Sequence, residues 1–152
     1  MTITYKINTA STEAVLDHFK KCNDLFIQRL SRKVNLADYI KKIVENAVMF
    51  EAWNEKDLVG LIAAYYNKGN TVFITNVSVI KQQERTGIGS TLLNSCIQFG
   101  KEQHFTELIL EVFSENTSAI YLYKKNNFKI VSVKDEVTVM QMELTQNTYK
   151  EI

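Results

Sequence analysis

Residues 77–93 read Val-Ser-Val-Ile-Lys-Gln-Gln-Glu-Arg-Thr-Gly-Ile-Gly-Ser-Thr-Leu-Leu, a β-branched strand, a polar loop, two glycines and the start of an apolar-periodic helix. This run constrains the fold more than any other, because it predicts a strand that turns directly into a helix with its backbone close to a ligand. Glycines at a helix mouth let the main chain approach another molecule. The first turn leaves amide N–H groups unpaired at the positive end of the macrodipole. An anionic pyrophosphate suits such a turn. A P-loop would carry lysine and then serine or threonine after its last glycine, but Ser90 follows Gly89 directly; a dinucleotide fingerprint would have a third glycine where Leu92 stands.

A second segment, residues 108–128, reads as a strand (Leu108 to Phe113), an Asn-capped helix from Asn116 and a further strand entered at Phe128. Together the two segments resemble the signatures of the GNAT superfamily of acyl-CoA-dependent N-acyltransferases. In the first signature a Val-x-Val strand, here Val77-Ser78-Val79, precedes Gln or Arg, two variable residues, Gly, a variable residue and Gly or Ala. Gly87-Ile88-Gly89 fit it. The departures are Glu84 at the Gln/Arg position, Arg85 where a further glycine is common and Lys81 where proline often sits. In the second signature Asn116, Ala119, Tyr123 and Phe128 match, with Asn127 where glycine is frequent.

The resemblance implies a mixed α/β (α+β) fold: a mostly antiparallel central sheet, helices on both faces and a parallel strand pair, 71–79 with 107–113, that splays apart. It implies acetyl-CoA as co-substrate, with the pantetheine arm bonded to the backbone at Val77 and Val79 as an added strand. The pyrophosphate would meet Glu84, Arg85, Thr86, Gly87, Ile88, Gly89 and Ser90, with the Glu84 side chain turned away. Asn116 and Ala119 would touch the CoA arm.

The chemistry sets further requirements. An alkyl amine with pKa near 10 is neutral in only about one molecule in a thousand at pH 7, so attack on a thioester needs a base or a water path to one. Glu111 is the lone carboxylate in the otherwise apolar run Leu108 to Phe113, and some family members use such a glutamate through water. Its other reading is a partly exposed glutamate near a strand end. The oxyanion needs a donor such as the Val77 N–H. The departing thiolate needs a proton, and Tyr123 matches the family position for that acid; its other reading is aromatic packing beside Phe128.

The remainder of the chain is consistent with one enzyme-sized domain over 1–152. It is 45% apolar and 23% charged, with no proline and five glycines to mark a linker. A net charge of +1 gives no electrostatic reason for nucleic acid or an acidic membrane as partner. Basic clusters at Lys20-Lys21, Arg29 to Lys33 and Lys41-Lys42 read as solvated helix faces. Cys22 and Cys96 are expected reduced, no metal-ligand spacing occurs, and no segment approaches a membrane span, so a cytoplasmic protein, monomer or homodimer, is expected.

Periodicity places a strand at Thr2–Asn8, a helix from Glu13 to about Phe26 with Val15, Phe19, Cys22 and Phe26 on one face, and a second helix capped by Asn35. Three antiparallel strands follow at 48–53, 58–66 and 71–79, then a helix at 87–103, a strand at 107–113, a helix at 116–126 and strands at 128–133 and 137–144. His104 is expected to end its helix in left-handed geometry, and His18 to be exposed. The acceptor is the least constrained element, since its determinants would lie in residues 23–38 and 130–145, where no motif is recognised. Leu58 to Asn67 resembles family members of cell-surface sugar synthesis, implying a small amino sugar. The Leu-Glu-Val strand at 110–112 instead implies a peptide or protein α-amine. A non-catalytic acyl-CoA sensor is the reading outside enzymes.

Overall fold

The computed structural model describes residues 2–144. Its elements in chain order are β1 (Thr4–Ile7), α1 (Thr12–Lys20), α2 (Asp24–Lys33), α3 (Leu36–Asn46), β2 (Val48–Asn54), β3 (Asp57–Lys68), β4 (Thr71–Val79), α4 (Ile88–Glu102), β5 (Glu107–Phe113), α5 (Thr117–Lys125), β6 (Lys129–Lys134) and β7 (Val137–Glu143). The strands form a seven-stranded sheet in the order β1-β2-β3-β4-β5-β7-β6. Among the described strands, only β4 and β5 run parallel. This is the mixed, mostly antiparallel sheet expected from the sequence, and the parallel pair sits where a strand-helix-strand crossover requires it.

Helices cover both faces. On one, α4 and α5 bring Ile88, Leu92, Leu93, Cys96 and Tyr123 onto Phe50, Ile62, Val72 and Leu110. On the other, α1 and α3 pack Val15, Phe19, Ile40 and Ile43 against Met49, Leu61 and Ala63. Helices α1, α2, α3 and α5 each have a side-chain cap: Ser11, Asn23, Asn35 and Asn116 accept from the amides of Ala14, Leu25, Asp38 and Ala119. The β2–β3 and β3–β4 hairpins close through Glu55 and Gly69, both in left-handed geometry at φ 56° and 57°.

Two expectations for the N-terminal region are corrected. The helix expected to run to Phe26 ends at Lys20, because the Lys21 carbonyl is taken by the Lys81 amide at 2.9 Å and Asn23 caps a new helix. Phe26 still meets Phe19, ring centroids 5.2 Å apart, so the apolar spacing survives the break that it conceals. His18, expected exposed, is 1% exposed. Its Nδ1 lies 2.9 Å from the Leu58 carbonyl and its Nε2 2.8 Å from Ser78 Oγ. The ring closes the gap between α1 and β3–β4, and burial pushes its pKa down to about 4.

A buried carboxylate, Glu51, carries no sequence signal at all. It accepts from the amides of Thr9 and Ala10, the Thr9 hydroxyl and Trp53 Nε1, fixing the β1–α1 connection to β2.

Candidate active site

The β4–β5 ladder pairs Thr71 to Ile74 with Glu107 to Leu110 and then stops. At the same point β4 carries a bulge against β3, whose register jumps from Ala64↔Ile74 to Ala63↔Asn76 and leaves Thr75 as the extra residue. The bulge reverses the facing of β4. Val72 and Ile74 precede it and Val77 and Val79 follow it on the α4–α5 face, while Asn76 and Ser78 turn toward α1. The hydroxyl of Tyr39, from α3, donates to the Thr75 carbonyl at 2.6 Å, satisfying a strand acceptor that the fork would otherwise leave open. Burial raises the pKa of that phenol to about 12.

Beyond the fork lies a cleft with about 660 Å³ of space, part of it open to solvent. Val77, Glu111, Asn116 and Tyr123 all line it, so the structure brings one strand backbone, both proposed catalytic side chains and the helix cap together. Tyr123, 6% exposed, packs on Phe128 with ring centroids 5.8 Å apart. Its hydroxyl has no hydrogen-bond partner among the described residues, and burial holds its pKa well above that of an ordinary phenol. Glu111 follows the last residue of β5 that pairs with β4 and faces α2, where Lys33 Nζ lies 3.4 Å from its Oε1. Val79 lies just below the amide-rich turn and contributes to the α4 core.

That turn is built as the glycine spacing suggests. Gly87 stands at the N-cap of α4 with φ 92°, and no side chain caps the helix. The Thr91 amide is the first to bond back, to the Gly87 carbonyl at 3.0 Å. The amides of Arg85, Thr86, Gly87, Ile88, Gly89 and Ser90 make no hydrogen bond among the described residues. Arg85, at the family's glycine position, takes the left-handed conformation itself at φ 65°. Glu84 is exposed, and Ile88 is buried. A Cβ at Gly89 would meet Leu122 at 3.5 Å and Val79 at 4.0 Å, ordinary contact distances. Ala119 donates its amide to the Asn116 side chain at 3.3 Å, so these two residues form the cap of α5.

The α2 side of the cleft is made by residues whose position there the sequence did not disclose. The basic run from Arg29 to Lys33, expected to be a solvated face, lies along the cleft. Arg29 Nε is 3.5 Å from Glu115 Oε2, an ion-pair distance without a hydrogen bond, and that nitrogen is buried. Arg32 reaches Glu115 and Glu136 and stacks over Phe113, 4.8 Å from the ring centroid. The α2 helix has no fully buried residue; Phe26, Ile27 and Leu30 pack part-buried against the core, and the charged contacts lie at the rim. Tyr66, in the segment resembling sugar-pathway members, is instead a core residue: its hydroxyl donates to the Cys96 carbonyl at 3.0 Å and its ring meets Phe99 and Phe105. Residue 145, the last of the expected acceptor-side tail, lies outside the described residues.

Both cysteines are buried and free. Among the described residues, no group of His, Cys, Asp and Glu converges as metal ligands do, and no helix is long and apolar enough to cross a membrane.

Comparison with known proteins points the same way. The model of the acetyltransferase (GNAT) family matches residues 12–128. Streptothricin acetyltransferase A of Bacillus subtilis is 33% identical over 89 residues, 59% of this chain and 51% of that protein. An N-alpha-acetyltransferase of Sulfurisphaera tokodaii is 41% identical over 61 residues, 40% of this chain and 36% of that protein. The aligned segments thus span about half or less of these curated relatives. Among solved structures, the PaiA N-acetyltransferase of Thermoplasma acidophilum in complex with coenzyme A superposes with a TM-score of 0.78 at 18% identity, covering 94% of this chain and 99% of the other. At that identity the likeness is one of fold.

Proposed function

The chain belongs to the acetyltransferase (GNAT) family, and from that premise we propose that it transfers an acetyl group from acetyl-CoA to a primary alkyl amine by direct attack in the cleft between β4 and β5. The observation that carries this reading is the fork itself: β4 loses its β5 partner after Ile74, and the amide-lined turn at residues 85–90 follows the freed strand. An acyl-CoA fits both ends of that arrangement. Its pyrophosphate takes the unpaired amides at the N-terminus of α4, and its pantetheine arm bonds the backbone of Val77 and Val79 as an added strand. Asn116 and Ala119 flank the arm from the head of α5. The relative bound to coenzyme A shares this fold and supports the choice of ligand.

The thioester then lies between Glu111 and Tyr123. Glu111 draws a proton from the acceptor ammonium through water, and the neutral nitrogen attacks the carbonyl carbon. The Val77 amide stabilises the oxyanion. As the C–S bond breaks, Tyr123 gives its proton to the sulfur. Burial raises the phenol's pKa, and the same burial destabilises a bare thiolate, so the proton still has reason to move.

For the acceptor we favour a small amine. α2 lines one side of the cleft, with Arg29, Arg32 and Lys33 paired to Glu115, Glu136 and Glu111, which favours a small acceptor over an extended peptide. A peptide α-amine is the second reading, supported by the relative named as an N-alpha-acetyltransferase. Thiol release from acetyl-CoA, measured with a panel of alkyl amines, amino sugars and short peptides, tests the proposal. Saturable amine-dependent turnover is expected, with small amines ahead of peptides. CoA binding with no turnover on any amine would make the chain a sensor instead. In the same assay Tyr123→Phe, which removes only the hydroxyl, should lower kcat about a hundredfold while acetyl-CoA still binds. Unchanged kcat with lower stability would assign Tyr123 to packing.

A further inference from the structure

The last residue of α2 puts a primary amine where the acceptor's amine belongs. Lys33 is the single lysine among the described residues lining the cleft, which it shares with Val77, Glu111, Asn116 and Tyr123. Its Nζ lies 3.4 Å from Glu111 Oε1 and 5.8 Å from the centroid of the Phe113 ring. Carboxylate and aromatic face together are what an alkylammonium acceptor would seek. The neighbouring cations are arginines, which stay protonated and cannot act as amine nucleophiles; they pair with Glu115 and Glu136 and leave Glu111 to Lys33. The Lys33 side chain is 41% exposed and its helix has no fully buried residue, so tight packing does not hold the ammonium in place.

Resting on the reading of the cleft as an acetyl-transfer site, we propose that Lys33 is an internal acceptor, acetylated in cis by bound acetyl-CoA when no competing amine is present. The ammonium of Lys33 yields one proton through water to Glu111 and thence to solvent. The nitrogen forms a bond to the acetyl carbonyl carbon, and the C–S bond of acetyl-CoA breaks. The sulfur takes a proton from Tyr123, which is made good by the second proton leaving the nitrogen. The products are acetyl-Lys33, CoA and one proton. The amide is neutral, so Glu111 loses its ionic partner and α2 one of its ties to β5.

Incubation of the full chain with acetyl-CoA and no added amine, followed by intact mass and peptide mapping, tests this. A single acetyl group on Lys33 is expected, gained at a rate independent of protein concentration, at least about tenfold slower in Tyr123→Phe and suppressed by an amine that supports thiol release. Heat-denatured protein gives the background of direct chemical acetylation. Lys33 modified no faster than the other lysines, or no faster than in denatured protein, would overturn the proposal; if amine-dependent thiol release persists in that preparation, the acetyltransferase reading stands without it. Absence of both the adduct and amine turnover, with CoA still bound, would overturn both.

Discussion

Single residues show where the sequence was informative and where it was silent. Arg85, His104 and Asn127 stand where the family often has glycine, and all three hold the left-handed geometry, with φ 65°, 66° and 74°. The backbone demand is kept although the residue that meets it most easily is absent. His18 was silent for the opposite reason. Its partners, the Leu58 carbonyl and Ser78, lie 40 and 60 residues away and no local pattern names them. With Nδ1–H donating to the Leu58 carbonyl, Nε2 faces Ser78 Oγ at 2.8 Å, and the Ser78 hydroxyl donates to the Asn76 side-chain oxygen at the cleft. A folded pKa of about 4 against 6.5 means that the unfolded chain binds the proton first. The stability held above pH 6.5 should therefore fall by about 3 kcal/mol as pH drops toward 4, a slope that urea unfolding at a series of pH values should show and that His18→Gln should flatten. Glu111 is tested by pH of another kind. Glu111→Gln keeps the shape and removes the base, so kcat/KM should fall most at low pH and recover at high pH, where neutral amine is plentiful. An equal loss at every pH would mean orientation rather than proton transfer.

At the level of elements, the strand-helix-strand core was legible because its signals are local. Period, caps and glycines all lie within the segment they shape, and β5 falls at 107–113 as its apolar run suggests. The break between α1 and α2 was not, since it depends on a hydrogen bond from Lys81, past the end of β4 and far from Lys21 in the chain. Nor was the bulge at Thr75, which depends on the register of β3. Gly60 is a further case. A Cβ there would lie 2.6 Å from Ile88 Cγ2 and 3.0 Å from Leu92 Cδ1, so a bare backbone on β3 lets the first turn of α4 sit close to the sheet. Ile88 is β-branched and buried, with little freedom to yield. Gly60→Ala should therefore cost about 1–3 kcal/mol in chemical unfolding and weaken CoA binding measured by calorimetry, because the displaced turn carries the amides proposed for the pyrophosphate. Full stability with normal CoA affinity would show that α4 has more room than its packing indicates.

On the scale of the whole molecule, the sheet is two blocks, β1–β4 and β5–β7, whose parallel joint pairs only residues 71–74 with 107–110. Past the fork, α4 and α5 pack their side chains into one core that spans both blocks. The layout was legible because a β-α-β crossover forces the joint. The α2 wall of the cleft was not, because ion pairs such as Lys33 with Glu111 join residues 78 positions apart. An acyl-CoA lying in the fork would contact β4 in one block, Asn116 beyond β5 in the other, and the turn before α4. It should act as a brace as well as a substrate. A ligand that binds only the folded state at a hundred times its Kd adds about 2.7 kcal/mol, so saturating CoA should raise the unfolding temperature by several degrees. Gly89 separates that effect from folding. The space around its Cβ position accepts a methyl group, so Gly89→Ala should fold and still respond to CoA. Gly89→Glu adds bulk and negative charge beside the proposed pyrophosphate path, and CoA affinity should fall at least tenfold, about 1.4 kcal/mol, with most of the thermal shift lost. If folded Gly89→Glu protein shows the same CoA-induced shift as the parent, the turn at residues 85–90 does not hold the phosphates and the bracing ligand must enter the fork by another route.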